Sequence, residues 1–395
     1  MHAASLVVRH IGRLTTWATP RIVDAAIAIV DGRVAWVGAD RELPVVFHGG
    51  PELDAAGAAV IPGFVDCHTH AVWAGNRRPD FVGRLEGSDY SPGGIAATVA
   101  ATRRTGDDEL LQLTRKRIAA MAAGGTTTVE VKSGYGLSVE AECRLLEVIG
   151  RAAGVEPVRI EATYLGAHVV PDGRSRSGYV DEVVATLPDA SRRGAKWCDV
   201  FCDEGAFTVE EARQILNAAK VVGLGLRIHA DQLTHNGGAR LAAELGCASA
   251  DHLDHVDAPD AAALAAAGVV GVLVPVASLY SGSQRWSHAA TLREAGVTLA
   301  IATDCNPGTA WCESMPYAVQ LACLGMGLSV EHALWAATVG GAQALRLPDR
   351  GQLGVGARGD LLVLAADHEV DLVAHLGAPA VVTTVIGGRV VGESP

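Results

Sequence analysis

AVIPGFVDCHTH, residues 59–70, is an apolar run that ends in Asp66-Cys67-His68-Thr69-His70. Read as a strand, its alternation sends His68 and His70 to one face and Cys67 and Thr69 to the other. Two imidazoles placed in this way can share one metal ion. On its own the pattern is weak evidence, because two hydrogen-bonded core histidines also read H-x-H.

Seven further apolar runs follow: TTTVEVKS (126–133), VRIEATYLG (158–166), KWCDVFCD (196–203), LGLRIHAD (224–231), SADHLDHV (249–256), VVGVLVPV (269–276) and VTLAIATD (297–304). Amphipathic or Ala-rich stretches lie between them, among them DDELLQLTRKRIAAMAAG (107–124), VEEARQILNAAKVVG (209–223) and GGARLAAELG (237–246). These read as helices. Counting residues 59–68 as the first strand, eight βα repeats predict an α/β fold of the (β/α)8 TIM-barrel kind. No G-x-G-x-x-G follows an early strand, which disfavours a doubly wound nucleotide-binding sheet.

The two ends of the chain resemble each other more than they resemble the middle. SLVVRHIGRLTT (5–16), AIAIVDGRVAWVGA (26–39), GDLLVLA (359–365) and VVTTVIGGRVVGE (381–393) are β-rich runs broken by Gly and Asp. Asp31-Gly32 is a strong hairpin signal. Residues 1–61 and 355–395 are therefore expected to form one small β-sandwich domain, with the barrel spanning 62–354.

Polar residues gather at the C-terminal ends of the barrel strands: His68, His70, Lys132, His168, Asp203, Glu204, His229, His252 and Asp304. That rim is where barrel enzymes place their chemistry. His229 ends the fifth strand and Asp304 the eighth. With His68 and His70 they make a three-imidazole, one-carboxylate set suited to a single zinc or iron ion per subunit, with a position left for water. Such an ion lowers the pKa of the water towards neutrality.

The bulk properties narrow the partners. A formal net charge of −12 disfavours nucleic acid or an anionic membrane, though not a small anionic substrate facing one local Arg. The eight cysteines are scattered, and the Cys198/Cys202 pair stands alone, which reads as buried thiols in a reducing cytosol. The N-terminal MHAASLVVRH has no long apolar region before Arg9, so no signal peptide is expected. The longest apolar run, Ala261 to Ala277, is interrupted by Gly268, Gly271 and Pro275 and reads as a helix followed by a buried strand. A soluble cytoplasmic protein with no membrane partner is expected, with a homodimer as the default assembly.

PGFVDCHTH, His229, His252, Asp304 and the terminal RGDLLVL resemble the amidohydrolase superfamily. HTHAVWAGNR (68–77), VEVKSGYGL (129–137), YLGAHVVP (164–171), HADQL (229–233), SADHLDHV and ATDCNPGT (302–309) are most similar to its imidazolonepropionase family. The resemblance covers essentially the whole chain. It implies hydrolysis of 4-imidazolone-5-propanoate to N-formimidoyl-L-glutamate, the third step of histidine degradation. It also implies substrate contacts at Arg77, Tyr135, His168, Gln232, Asn306, Gly308 and Thr309, with His252 assisting the chemistry. A guanidinium at Arg77 can grip a carboxylate in two parallel hydrogen bonds, and the neighbouring Arg78 reads as a solvated loop charge.

Gln232 departs from relatives that carry a glutamate there as a proton shuttle. An amide cannot take up a proton, which moves the base role to Asp304. Lys132 is expected to act structurally or electrostatically, not as a metal-bridging carboxylated lysine. Two rival readings stay open: a deaminase of a nucleobase or related heterocycle, and a non-catalytic scaffold.

Overall fold

The computed structural model describes residues 5–87, 94–281, 286 and 289–393; Met1 to Ala4 of the N-terminal stretch lie outside them. Eight parallel strands run in sequence order: Phe64–Asp66, Thr126–Lys132, Arg159–Ala167, Trp197–Cys202, Gly225–Ala230, Ser249–His252, Val270–Leu273 and Leu299–Ile301. Each is fully or almost fully buried, as expected of parallel strands covered by helices on the outside. The first and last strands meet just beyond their ends. Asp304 N donates to His68 O at 3.0 Å, and Thr69 bridges Cys305 in parallel register. Asp66 adds a side-chain clasp, accepting from Thr303 N (3.1 Å) and Thr303 Oγ1 (2.6 Å). This is the TIM barrel that the eight runs predict.

One run is divided differently from its reading as a single strand. Ala59–Pro62 pairs with Leu6–Leu14 and Leu361–Leu364, whereas Phe64–Asp66 pairs with Thr126–Lys132. Gly63 is the crossing point. A Cβ there would lie 2.3 Å from Thr127 Cγ2, so glycine leaves the room that the Thr127 side chain occupies. The sixth and seventh strands are also shorter than their apolar runs. Leu253 turns into the left-handed region at φ 61°, and Pro275 opens a short helix, Pro275–Tyr280.

Strands from both chain ends join edge to edge in an eight-stranded second sheet. Its hairpin has Ile22–Val30 antiparallel to Arg33–Ala39, with Val30 opposite Arg33. Asp31 (φ 50°) and Gly32 (φ 76°) form the turn with both central residues at positive φ. Alternate residues such as Val8, Ile27, Ile29, Leu361 and Val385 share an apolar core separate from the barrel's.

The helices follow the sequence signals closely. Asp107–Ala123, Val209–Val221 and Gly238–Leu245 occupy the three stretches read as helical. Val209–Val221 starts with a capping box, in which Thr208 and Glu211 satisfy each other's backbone N–H groups. Ala258–Ala267 and the strand Val270–Leu273 account for the long apolar run. Among the described residues no helix is long and apolar enough to cross a membrane.

Candidate metal centre

The barrel's closure brings the four expected ligands together. His68 and His70 follow the first strand, His229 lies in the fifth, and Asp304 follows the eighth. Asp304 Oδ1 lies 3.5 Å from His68 Nε2 and 3.4 Å from His70 Nε2, and His229 Nε2 is 3.4 Å from His70 Nε2. All four side chains are buried, and Asp304 is held at φ 52°, a conformation non-glycine residues rarely adopt. His68 Nε2 and Asp304 Oδ1 have no hydrogen-bond partner within the protein. Buried polar atoms are nearly always paired. Two orphans aimed at one point, among three imidazoles and a carboxylate, fit a first-row metal ion.

The electrostatics agree with a cation at that point. Burial and the Lys132 charge both oppose protonation of His68, yet Asp251 and Asp304 outweigh them and carry it up to about 9. Asp251 lies on the Nδ1 side of the His68 ring and Asp304 on the Nε2 side, so a metal ion held with Asp304 would displace a proton from Nε2. Burial takes His70 down to about 4 and holds His168 and His252 well below the ordinary histidine range. Burial alone would raise the Asp304 carboxyl, but His68 and His70 carry it well below the usual carboxylate range.

Behind the ligands lies a charged layer only partly legible in the sequence. His68 Nδ1 is 2.6 Å from Asp251 Oδ2, and His229 Nδ1 is 3.1 Å from Asp199 Oδ1. Lys132 Nζ stands 2.8 Å from Glu130 Oε1 and 2.7 Å from Asp199 Oδ2. Arg227 Nη2 reaches Cys67 O at 2.7 Å and Asp251 Oδ2 at 3.2 Å. The ammonium of Lys132 is thus enclosed by carboxylates, as its structural or electrostatic reading expects. The signal for the rest was there: Glu130, Asp199, Arg227 and Asp251 interrupt apolar strands, where a charge needs a partner.

In front of this cluster opens a small cleft lined by His70, Arg77, Tyr135, His168, Gln232, His252, Asp304, Asn306 and Thr309, with Ile95, Phe201 and His229. His168 stacks on His70 with ring centroids 5.3 Å apart. Its Nδ1 lies 2.8 Å from Gly134 O and must carry the proton, leaving Nε2 as an acceptor. Tyr135 sits 5.3 Å from the His168 ring. His252 is buried at φ 78° with neither ring nitrogen hydrogen-bonded.

Arg77 is 5% exposed and donates from Nε to Asp80 at 2.6 Å. Two glycines make room for its guanidinium. A Cβ on Gly94 would fall 1.8 Å from Arg77 Nη2, and one on Gly308 would fall 2.5 Å from Nη1. Gly308 therefore matters for the space beside Arg77. Its own N–H goes to Asn306 Oδ1 at 2.8 Å, and its carbonyl accepts from Arg84 Nη2 at 2.6 Å. The Asn306 amide is likewise engaged within its loop, with Asp304 O at 2.7 Å and Thr309 N at 2.7 Å.

Two other strand-end acids part ways. Asp203 accepts from the backbone N–H groups of Gln232, Leu233 and Thr234 and so shapes the loop that presents Gln232. Glu204 is exposed and takes no part in the cleft. Arg78 is exposed, as expected of a solvated charge, but it opens the helix Arg78–Leu85 and does not lie in a loop. All eight cysteines are free thiols, and Cys198 and Cys202 are both buried.

Residues 59–391 match the model of the amidohydrolase family. The imidazolonepropionase of Streptomyces griseus subsp. griseus is 44% identical over 96% of this chain and 95% of its own. That of Anaeromyxobacter sp. (strain K) is 46% identical over 94% of this chain and 91% of its own. Among solved structures, a 5-methylcytosine deaminase from Klebsiella pneumoniae superposes with a TM-score of 0.78 at 16% identity, covering 98% of each chain. An adenosine deaminase from Xanthomonas campestris with bound zinc gives 0.73 at 20% identity, covering 98% of this chain and 93% of its own. At such identities these two establish the shared fold alone. On the family match and the full-length relatives together, the chain belongs to the amidohydrolase family, within its imidazolonepropionase branch.

Proposed function

We propose that this chain hydrolyses the cyclic amide of 4-imidazolone-5-propanoate to N-formimidoyl-L-glutamate. The observation that carries the reading is a nearly buried guanidinium, Arg77, lining the same small cleft as a three-histidine, one-aspartate cluster. A cation of fixed, planar geometry suits the propanoate of a small anionic substrate.

His68, His70, His229 and Asp304 would hold one zinc or iron ion. When bound, that ion supplies Lewis acidity and hydroxide near neutral pH. The chain's own groups bind and orient the ring. Arg77 takes the carboxylate. Tyr135 and the Nε2 lone pair of His168 face the ring's polar edge. His252 is neutral, so one of its two unpartnered nitrogens carries a hydrogen to donate to the oxygen that gains charge as the ring carbonyl is attacked. Water adds to the carbonyl carbon, the bond from that carbon to the ring nitrogen breaks, and the nitrogen gains a proton. Gln232 can orient water or substrate but cannot carry that proton. Asp304 takes the base role, with His252 assisting.

The test is an assay of the metal-replete protein on enzymatically generated imidazolonepropanoate, following the loss of its ultraviolet absorbance. Steady turnover is expected. Absence of turnover in a protein with a full complement of metal would overturn the reading in favour of a heterocycle deaminase, and a chain that binds no stoichiometric ion would return it to a scaffold.

A further inference from the structure

Two buried cations lie beyond every group the proposed reaction uses. Lys132 belongs to the second barrel strand and Arg227 to the fifth, and both are fully buried. We infer that each is a positioning residue for the metal centre, anchoring the carboxylate that orients one ligand histidine. The inference rests on the metal reading above.

The geometry forms two parallel chains of contacts. In one, Lys132 Nζ is 2.7 Å from Asp199 Oδ2, an ion pair outside hydrogen-bonding geometry, and the other oxygen of Asp199 is 3.1 Å from His229 Nδ1. In the second, Arg227 Nη2 is 3.2 Å from Asp251 Oδ2, the same oxygen that lies 2.6 Å from His68 Nδ1. A carboxylate that accepts from Nδ1–H leaves the lone pair on Nε2, where an ion can use it. A lone carboxylate can still rotate about its own bonds. A second contact from a fixed cation removes that freedom and aims the acceptor at the ring. Arg227 is itself tied to Cys67 O at 2.7 Å and Ala344 O at 3.1 Å, so the anchor is part of the barrel wall. His70 has no such support, because its Nδ1 finds no partner.

Stability alone is a poor account of these pairs. Burying a charge pair is often no better than burying apolar groups of the same size. What an apolar replacement cannot do is hold a carboxylate oxygen in line with an imidazole.

The experiment uses the full chain, stripped of metal and reloaded with cobalt(II), with affinity read by chelator competition and ligand field by visible absorption. One cobalt ion bound by the unaltered protein tests the metal reading by itself. If none binds, it is that reading which fails. Given binding, Lys132→Met and Asp199→Asn are each expected to weaken cobalt affinity by about 10- to 100-fold and to shift the visible bands. Because the two act in one chain of contacts, the double variant is expected to bind no more weakly than the weaker single variant. Lys132→Met with unaltered affinity and spectrum overturns the inference, and so do losses that multiply in the double variant. Should Lys132→Met not fold, Lys132→Gln removes the ammonium that faces Asp199 while leaving a neutral polar side chain in the buried layer. Weakened binding there supports the inference, and unaltered binding and spectrum overturn it.

Discussion

The molecule has two interiors built on opposite principles. The terminal sheet packs Val8, Ile27, Ile29, Val60, Leu361 and Val385 into an apolar core, and its buried carboxylates, Asp360 and Glu369, lie outside the strands. The barrel carries Glu130, Lys132, Asp199, Arg227 and Asp251 in its strands at the same depth, each without solvent exposure. An apolar core gains from area removed from water and tolerates swaps of similar volume. A charged layer gains only when every group is paired, and it fixes positions more narrowly than it stabilises. The difference separates what the two regions are for. One closes the chain ends, and the other holds imidazoles in register beneath a cleft.

Variants that act on one interior and spare the other test this contrast, and the greatest effect belongs at the rim. His70→Ala is expected to abolish turnover and stoichiometric metal content together, as measured by elemental analysis and the absorbance assay. Substantial residual metal and activity would remove His70 from the ligand set. In the terminal core, Ile27→Ala should cost about 2–5 kcal/mol of stability. Thermal unfolding reads that loss, while metal content per folded chain stays at the level of the parent. A matched loss of metal would mean that the two interiors are not separable. Arg77→Ala should act on neither interior, raising KM for the propanoate substrate by about 10- to 100-fold for a lost charge-assisted pair. Unchanged kinetics would sink the clamp assignment, and the exposed Arg78→Ala serves as its control with values close to the parent's. The smallest change is Gly308→Ala. Its added methyl would meet Arg77 Nη1 at 2.5 Å, so a rise in KM smaller than that of Arg77→Ala is expected, with metal content intact. A fall in metal content instead would tie Gly308 to the Asp304 loop.

The convergence of the candidate ligands was legible because a strand's period of two converts spacing into facing. H-x-H after one strand, a histidine at the end of the fifth and an aspartate after the eighth can converge only if the strands close into a ring. Arg77, Tyr135 and His168 were readable through the motifs that resemble the imidazolonepropionase family. The charged layer was not read beyond Lys132. Its members come from four strands far apart in the chain, and nothing local says that Asp199 meets Lys132 and His229 while Asp251 meets Arg227 and His68. Nor did the run from Ala59 reveal that its strand breaks at Gly63, since the strands that claim its two halves, Leu361–Leu364 on one side and Thr126–Lys132 on the other, lie far along the chain.

Local pattern thus determined the elements, the eightfold repeat and the residue types of a metal-dependent hydrolase site. Tertiary structure decided which polar atoms are partnered and which are left facing one point. Hydrogen-bond pairing is a property of atoms brought within about 3 Å, and only the closed barrel brings these together. AVIPGFVDCHTH shows both halves. Its alternation already put His68 and His70 on one face, while only the bridges to Asp304 and Cys305 set those imidazoles against a carboxylate from the far end of the barrel.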